Sequence, residues 1–269
     1  MKRLLNKITL NLSHTLFITL FISLFIIFLT NVSFADESRK NNNAYKPDAK
    51  SIEYNEKGVA LVNKDPKAAE ELFRKALNID NKNISALLNY ATLKIGQKKG
   101  SEVLSILQAY SKTYPKIADI HYLLGDIYFA EKQIDKALES YKKVLVLNPN
   151  EKDLFVKLGN IYLLQKNLNN AEFMYEQAYK NTPKNVALLN NYANVLLANH
   201  NIKDAIKIAK ESLSIKETKE GFITLATAYE LQSDIPAALE NYKKAKKLKS
   251  SQEGLDEKIK DLQNSLVSF

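Results

Sequence analysis

Small side chains recur along the chain at an interval of 34 residues, and this period restricts the fold more than any other feature of the sequence. One series steps by 34, 34, 34 and 33 residues along Ala91, Gly125, Gly159, Ala193 and Ala226. A second series keeps this spacing and contains Ala69, Val103, Ala137, Ala171, Ala205 and Ala238. Units of this length are too small to bury an apolar face alone, so they must stack against their neighbours in an elongated array.

Each period holds two stretches with apolar residues at helical spacing. In one unit the first stretch covers residues 119–130, a break follows at 131–133, and the second stretch covers 134–147 before Pro149. Only 7 Gly and 6 Pro occur in 269 residues, which favours helices with short loops over the many tight turns of a β-sandwich or barrel. The small residues let helix axes approach to about 8–10 Å. We therefore predict an all-α chain of helix-turn-helix units.

Two adjacent units agree at nearly every position that marks a known repeat family. The earlier unit has Leu124, Gly125, Tyr128, Ala137, Tyr141, Val144 and Pro149. The later unit has Leu158, Gly159, Tyr162, Ala171, Tyr175, Ala178 and Pro183. These residues resemble the tetratricopeptide repeat family, over about residues 51–252. The resemblance implies a right-handed α-solenoid of about six units, near 51–83, 84–117, 118–151, 152–185, 186–218 and 219–252.

The first two units depart from this pattern. The first fits when its inter-helix turn is one residue shorter, with Gly58 and Ala69 as its small pair. The second has Lys94 where the next two units have tyrosine. We expect both units to keep the helix pair despite these differences.

The chain continues beyond the repeats at residues 253–269. Leu255, Ile259, Leu262 and Leu266 lie at helical spacing with polar residues between them. Repeat arrays need a terminal helix with a polar outer face, so we predict a capping helix here. The alternative is a helix that binds a partner.

The N-terminal segment is typical of an export signal. Three basic residues lie within the first seven positions, and an uncharged apolar stretch follows at 16–29. As a helix this stretch is about 21 Å long, against about 30 Å for the hydrocarbon core of a bilayer. Small side chains then lead up to Ala35, after which we predict cleavage. The alternative is an uncleaved anchor lengthened by residues 30–34, and residues 36–50 are polar and predicted to form a flexible tether.

The composition argues against catalysis. The absence of Cys excludes a disulfide framework, a thiolate nucleophile and a Cys-ligated zinc site. His14 lies in the leader, His121 occupies a position that is apolar or aromatic in other units, and His200 lies in a turn, so none fits a catalytic or metal-binding pattern. The sequence also has no phosphate loop or nucleophile elbow. We expect no enzyme activity, cofactor, metal or small-molecule substrate.

The chain is basic, with a formal net charge of +9. The leader contributes three of these charges, and acidic residues are interspersed with the others. A lysine cluster at 243–249 is interpreted as a solvated helix face. Binding to nucleic acid or to an anionic polymer is the minor alternative.

The resemblance also implies where a partner binds. In this family the first helix of each unit lines the concave side of the array, which is the usual binding surface. The corresponding positions are Asn89, Tyr122, Asp126, Lys157, Asn160, Asn190, Asn191 and Asn194. Because a side-chain amide both donates and accepts hydrogen bonds, a run of Asn can bind the N–H and C=O groups of an extended peptide. The alternative is that Asn is simply common in this chain.

These observations predict an exported scaffold of the cell envelope that binds a protein or peptide and takes part in envelope assembly or secretion. The competing prediction is a structural module that associates with itself through exposed ends of the solenoid. After cleavage near Ala35 the protein would be periplasmic or secreted. Without cleavage it would be anchored to the inner membrane by its N-terminal segment and face the periplasm.

Overall fold

A computed structural model describes residues 45–151, 153–248 and 254–267. Over these residues the chain forms thirteen α-helices and no β-strand. The all-α prediction is confirmed. The predicted leader at 1–35 lies outside the described residues. None of the described helices is both long enough and apolar enough to cross a bilayer.

The chain divides into two compact units, with the boundary between Lys98 and Lys99. The described helices of the first unit are α1 (Ala49–Leu61), α2 (Pro66–Ile79) and α3 (Ile84–Gly96). The second unit contains α4 (Ser101–Thr113), α5 (Ala118–Ala130), α6 (Ile134–Leu147), α7 (Leu154–Leu164), α8 (Leu168–Asn181), α9 (Val186–Ala198), α10 (Ile202–Ile215), α11 (Lys219–Leu231), α12 (Ile235–Lys247) and α13 (Leu255–Val267).

Helix α1 begins inside the segment predicted as a tether. The Asp48 side chain caps this helix by accepting hydrogen bonds from the backbone N–H groups of Lys50 and Ser51. The Tyr45 hydroxyl and the Asp48 N–H both donate to the Asp80 carboxylate. The predicted tether at 36–50 is therefore too long at its C-terminal end, because residues 45–50 are already held against α2 by these bonds.

The turns after five of the six described first helices share a backbone feature. A residue with positive φ, between 57° and 63°, follows α3, α5, α7, α9 and α11. After α5, α7, α9 and α11 the next backbone N–H donates to a carbonyl five residues earlier, as Asn167 does to Tyr162 at 2.8 Å and Asn201 does to Leu196 at 2.8 Å. This bond closes the C-terminus of the helix and sets up the entry of the second helix.

An aromatic ring packs directly on a glycine in three helix pairs. A methyl group added at Gly125 would lie 2.4 Å from Tyr141, and one at Gly159 would lie 3.0 Å from Tyr175. Gly58 has the same relation to a phenylalanine ring on α2. Tyr141 and Tyr175 are almost fully buried. The ring takes the space of a side chain most completely at Gly125 and Gly58, and less so at Gly159.

Lys94, the departure from the repeat pattern in α3, is 2 % exposed. Its ammonium group lies 3.0 Å from one carboxylate oxygen of Glu70 and 3.1 Å from the other. A buried ion pair with α2 thus takes the place of the tyrosine found in the following units.

Helix α13 packs against α12 and α11. Leu255, Ile259 and Leu262 are buried in a cluster with Leu239 and Tyr242 of α12. Leu266, predicted to belong to the same apolar face, is instead 45 % exposed. The apolar contact of α13 therefore ends one helical turn earlier than its sequence pattern indicates.

Candidate functional site

The eight residues predicted to contact a partner all lie on first helices. Asn89 lies on α3 of the first compact unit, and the others lie on α5, α7 and α9 of the second. The surface formed by the first helices of each compact unit is called here the first-helix face. Within the second unit, a hydrogen bond joins α5 to α7 through Asp126 and Lys157, and another joins α9 to α11 through Asn194 and Thr224.

Asp126 and Lys157 form an ion pair between α5 and α7. The Lys157 Nζ lies 2.7 Å from the Asp126 Oδ1. The same ammonium group lies 5.0 Å from the ring centre of Tyr122 and 5.8 Å from that of Tyr141. This arrangement combines an ion pair with two cation–π contacts, so the Lys157 charge is already engaged within the chain.

Buried tyrosines on the second helices hold two of the candidate residues. The Tyr141 hydroxyl donates a hydrogen bond to the Asp126 carboxylate, and the Tyr175 hydroxyl donates one to the side-chain amide oxygen of Asn160. Burial raises the pKa of Tyr175 to about 12. Burial, followed by the hydrogen bond to Asp126, also raises the pKa of Tyr141 above its ordinary value. Both hydroxyls therefore remain protonated donors at neutral pH and fix the orientation of their acceptors.

Asn190 and Asn191 are adjacent in sequence but have different surroundings. Asn190 is 9 % exposed, accepts a hydrogen bond from the Ser212 hydroxyl at 2.7 Å and donates to the Thr218 hydroxyl at 3.2 Å. Asn191 is exposed, and within the described residues its side chain has no hydrogen-bond partner. The burial of Asn190 points to a packing role, whereas Asn191 has a free amide.

The remaining asparagines are partly engaged. Asn194 is exposed and accepts a hydrogen bond from the Thr224 hydroxyl at 2.7 Å. Asn89 donates to Asn55 across α1 and α3 at 2.9 Å in the first compact unit. These bonds use one group of each amide and leave the other for a ligand.

Sequence reasoning identified the candidates but missed the residues that position them. Tyr141, Tyr175 and Thr224 were not among the predicted site residues. A signal was present, because the bonded pairs Tyr141–Asp126 and Tyr175–Asn160 are both 15 residues apart. The Tyr242 hydroxyl repeats this spacing with Thr227 at 3.1 Å.

The chemistry of this face is that of hydrogen bonding. The exposed amide of Asn191 can donate to a peptide carbonyl and accept from a peptide N–H, whereas Asn160 and Asn194, whose side-chain oxygens already accept hydrogen bonds, present their NH₂ groups as donors. Across the described parts of the chain, no cluster of three His, Asp or Glu side chains is placed to hold a metal ion.

Comparison with known families identifies the repeat. A family model described as "Tetratricopeptide repeat" matches residues 60–127 and 162–217. A second, described as "TPR repeat", matches residues 125–166, so together the matches run from 60 to 217. None of the curated proteins compared with the chain matches it.

Several solved structures share the fold. The structure of Pseudomonas aeruginosa PilF is 15% identical and aligns with a TM-score of 0.65 over 77% of this chain and 95% of that chain. YrrB, described as a TPR protein with an unusual peptide-binding site, is 18% identical and aligns with a TM-score of 0.62 over 65% of this chain and 91% of its own. MamA is 20% identical and aligns with a TM-score of 0.55 over 63% of this chain and 93% of its own.

At these identities the structures establish the fold and do not transfer a partner. The repeat period, the helix pairs, the glycine–tyrosine contacts and the family matches agree with one another. The chain belongs to the tetratricopeptide repeat family.

Proposed function

We propose that this protein is a non-catalytic scaffold that binds an extended segment of another protein on its first-helix face. One observation carries the proposal. The amide of Asn191 is exposed and has no hydrogen-bond partner among the described residues, and Asn194, three residues later on the same helix, uses only its side-chain oxygen in a hydrogen bond. The fold supports it, because proteins of this family are built to present such surfaces.

The geometry favours recognition of a peptide backbone over recognition of a charged side chain. The Lys157 and Asp126 charges neutralise each other at 2.7 Å, so this part of the face has no free ion for an acidic or basic partner. Asn160 is held by Tyr175 through its carbonyl oxygen, which leaves its NH₂ group as a donor. A row of amides in fixed orientation suits an extended chain, whose N–H and C=O groups alternate.

The test is a pair of substitutions at exposed positions. Asn191→Ala combined with Asn194→Ala removes both exposed amides, and Asn181→Ala removes an exposed asparagine at the end of α8 as a matched control. Each form is used as bait in chemical crosslinking from the envelope fraction of its own organism. The proposal predicts one dominant partner that is lost in the double variant and retained in the control.

Other results of this experiment would contradict the proposal. Retention of the same partner by the double variant would show that the first-helix face does not bind it. Crosslinks only between copies of the chain would favour the self-associating module. Circular dichroism of each form verifies that the helices are intact, so that a lost partner reports on the face and not on unfolding.

We also propose that the protein is exported and acts in the cell envelope, where it takes part in assembly or secretion. The support is the order of basic residues, apolar stretch and small residues before Ala35. The mass of the protein isolated from its own cells distinguishes cleavage after Ala35 from an anchor that is kept. A full-length protein in the soluble cytoplasmic fraction would refute export altogether.

A further inference from the structure

The second helices form a separate surface with an open groove. It lies among α4, α5 and α6, within the second compact unit, and has a volume of about 920 Å³. The buried side chains of His121, Leu124 and Tyr128 from α5 form its floor. We name this cleft the α4–α6 groove. None of the eight predicted partner-binding residues lines it.

The groove exists because two positions of the repeat have unusually small side chains. The position of Ser111 holds leucine or tyrosine in four other units, at Leu77, Leu145, Tyr179 and Leu213. In the fourth unit, Tyr179 fills the equivalent place and its ring centre lies 6.0 Å from that of Tyr192.

The second small residue lies on the opposite wall. The position of Ser140 holds a larger apolar residue in four other units, at Leu72, Ile106, Met174 and Ile208. The hydroxyls of Ser111 and Ser140 both donate to carbonyls of their own helices, at 2.8 Å. Neither hydroxyl therefore bonds to another helix, and the small size of the two side chains leaves the cleft open.

The floor is also unusual for the repeat. His121 stands where other units have aromatic or aliphatic residues. It is 5 % exposed, and its Nε2 lies 2.9 Å from the carbonyl oxygen of Pro115. The Gln108 side chain donates to the Tyr128 hydroxyl at 2.8 Å across the same floor. Polar groups thus lie in the floor of the groove beside the two walls that carry small serine side chains.

The rim of the groove is strongly basic. The lining contains four lysines, Lys112, Lys136, Lys142 and Lys143, and a single carboxylate, Glu139. Lys143 pairs with Glu139 at 2.8 Å, and this contact lowers the pKa of Glu139. Lys112 and Lys142 are exposed and form no ion pair with any residue that the structure describes. The groove therefore presents an uncompensated positive charge.

One end of the groove is apolar. Val146 is 54 % exposed and Leu147 is 38 % exposed, and both line the cleft at the C-terminus of α6. A ligand that fits has to provide aliphatic side chains for this end and negative charge for the rim. A peptide segment with both properties satisfies the two requirements, whereas a nucleic acid or a simple anion satisfies only the second.

We infer that the α4–α6 groove is a second binding site, which accepts an acidic amphipathic peptide segment of a partner protein. This site is independent of the proposed function of the first-helix face, because none of the eight predicted partner-binding residues lines the groove. Two sites on one array would allow the protein to hold two partners at the same time.

The test uses a synthetic fluorescent peptide that has leucine on one helical face and glutamate on the other. Binding to the purified full-length protein is measured by fluorescence anisotropy. The inference predicts binding that weakens roughly tenfold or more in Lys112→Glu combined with Lys142→Glu. It predicts loss of binding in Ser111→Tyr combined with Ser140→Ile, which fills the groove with residues used elsewhere in the array. Ser111→Ala leaves the groove open and is the matched control that should bind as the unchanged protein does.

The position of binding is read from the imidazole signals in nuclear magnetic resonance. The peptide should shift the signal of His121 and leave that of His200, which lies in the turn after α9, unchanged. Absence of binding, or equal binding by the groove-filled protein, would overturn the inference. So would equal binding of polyglutamate, or of a peptide with lysine in place of glutamate, because charge alone or apolar contact alone would then account for it.

Discussion

Replacing Gly125 by Ala should destabilise the protein although it improves helix propensity. The added methyl group would lie 2.4 Å from Cε1 of Tyr141, whereas two carbon atoms in contact are about 3.5–4.0 Å apart. The ring must therefore move by about 1 Å or more. Overpacking of this kind costs about 1–3 kcal/mol. Movement of Tyr141 also weakens its hydrogen bond to the Asp126 carboxylate, a bond type that contributes about 1.5–3 kcal/mol.

The opposing effect is the helix propensity of alanine, which favours the variant by about 1 kcal/mol. The net expectation is a loss of about 1–3 kcal/mol for Gly125→Ala. Gly159→Ala is the graded comparison, because its methyl group would lie 3.0 Å from Tyr175, and we expect a change within about 1 kcal/mol of zero.

Gly96→Ala completes the series. Apart from the chain neighbours of Gly96 and the nearby backbone of its own helix, no heavy atom lies within 4 Å of a methyl group at this position, so only propensity acts and a gain of about 0.5–1 kcal/mol is expected. Urea denaturation followed by circular dichroism measures all three variants. A Gly125→Ala protein that is as stable as the Gly159→Ala protein would refute the steric reasoning, because the shorter distance to the ring and the bond of that ring to a carboxylate both predict a larger loss at Gly125.

Three further predictions concern single side chains. Lys166→Gly should raise the free energy of unfolding by about 0.5–1 kcal/mol, because Lys166 has a φ of 57° and glycine adopts this angle without strain. A lower free energy of unfolding in urea denaturation would contradict this. Glu70→Ala should lower the free energy of unfolding by about 1.5–3 kcal/mol by removing the carboxylate that accepts hydrogen bonds from the buried Lys94 ammonium group, and an unchanged denaturation midpoint would show that this contact is dispensable. Because the pKa of Tyr175 is raised to about 12, the folded state keeps a proton that the unfolded state releases above about pH 10. Stability should therefore fall between about pH 10 and 12, and it should fall less in Tyr175→Phe, whereas equal alkaline losses would refute the assignment.

The helix pairs could be predicted from the sequence because they follow from the 34-residue period of the small residues. The recurrence of small residues locates each helix contact, and turn length locates the boundaries. The C-terminal helix was predicted on the same basis, but Leu266 is exposed because the buried cluster that α13 joins ends at Leu262.

The partners of individual side chains could not be predicted in this way. The phase of the repeat places both Asn190 and Asn191 on a first helix, but only the packing of α10 and the loop before α11 shows that Asn190 is enclosed. Lys94 was recognised as a departure from the pattern, but its compensation by Glu70 depends on the rotamers of two long side chains.

The α4–α6 groove could not be predicted from the sequence either. The small residues Ser111 and Ser140 can be identified by comparing repeats, yet they are 29 positions apart and lie on different helices. Only the packed structure shows that they open the same cleft.

Site-specific photocrosslinking in living cells tests the central claim most directly. A photoreactive amino acid is placed at position 191 on the first-helix face and, as a control, at position 181 at the end of α8. The account predicts a single adduct with another protein from position 191 and none from position 181. No adduct at 191, or an adduct only with a second copy of the chain, would contradict a partner-binding scaffold that acts through its first-helix face.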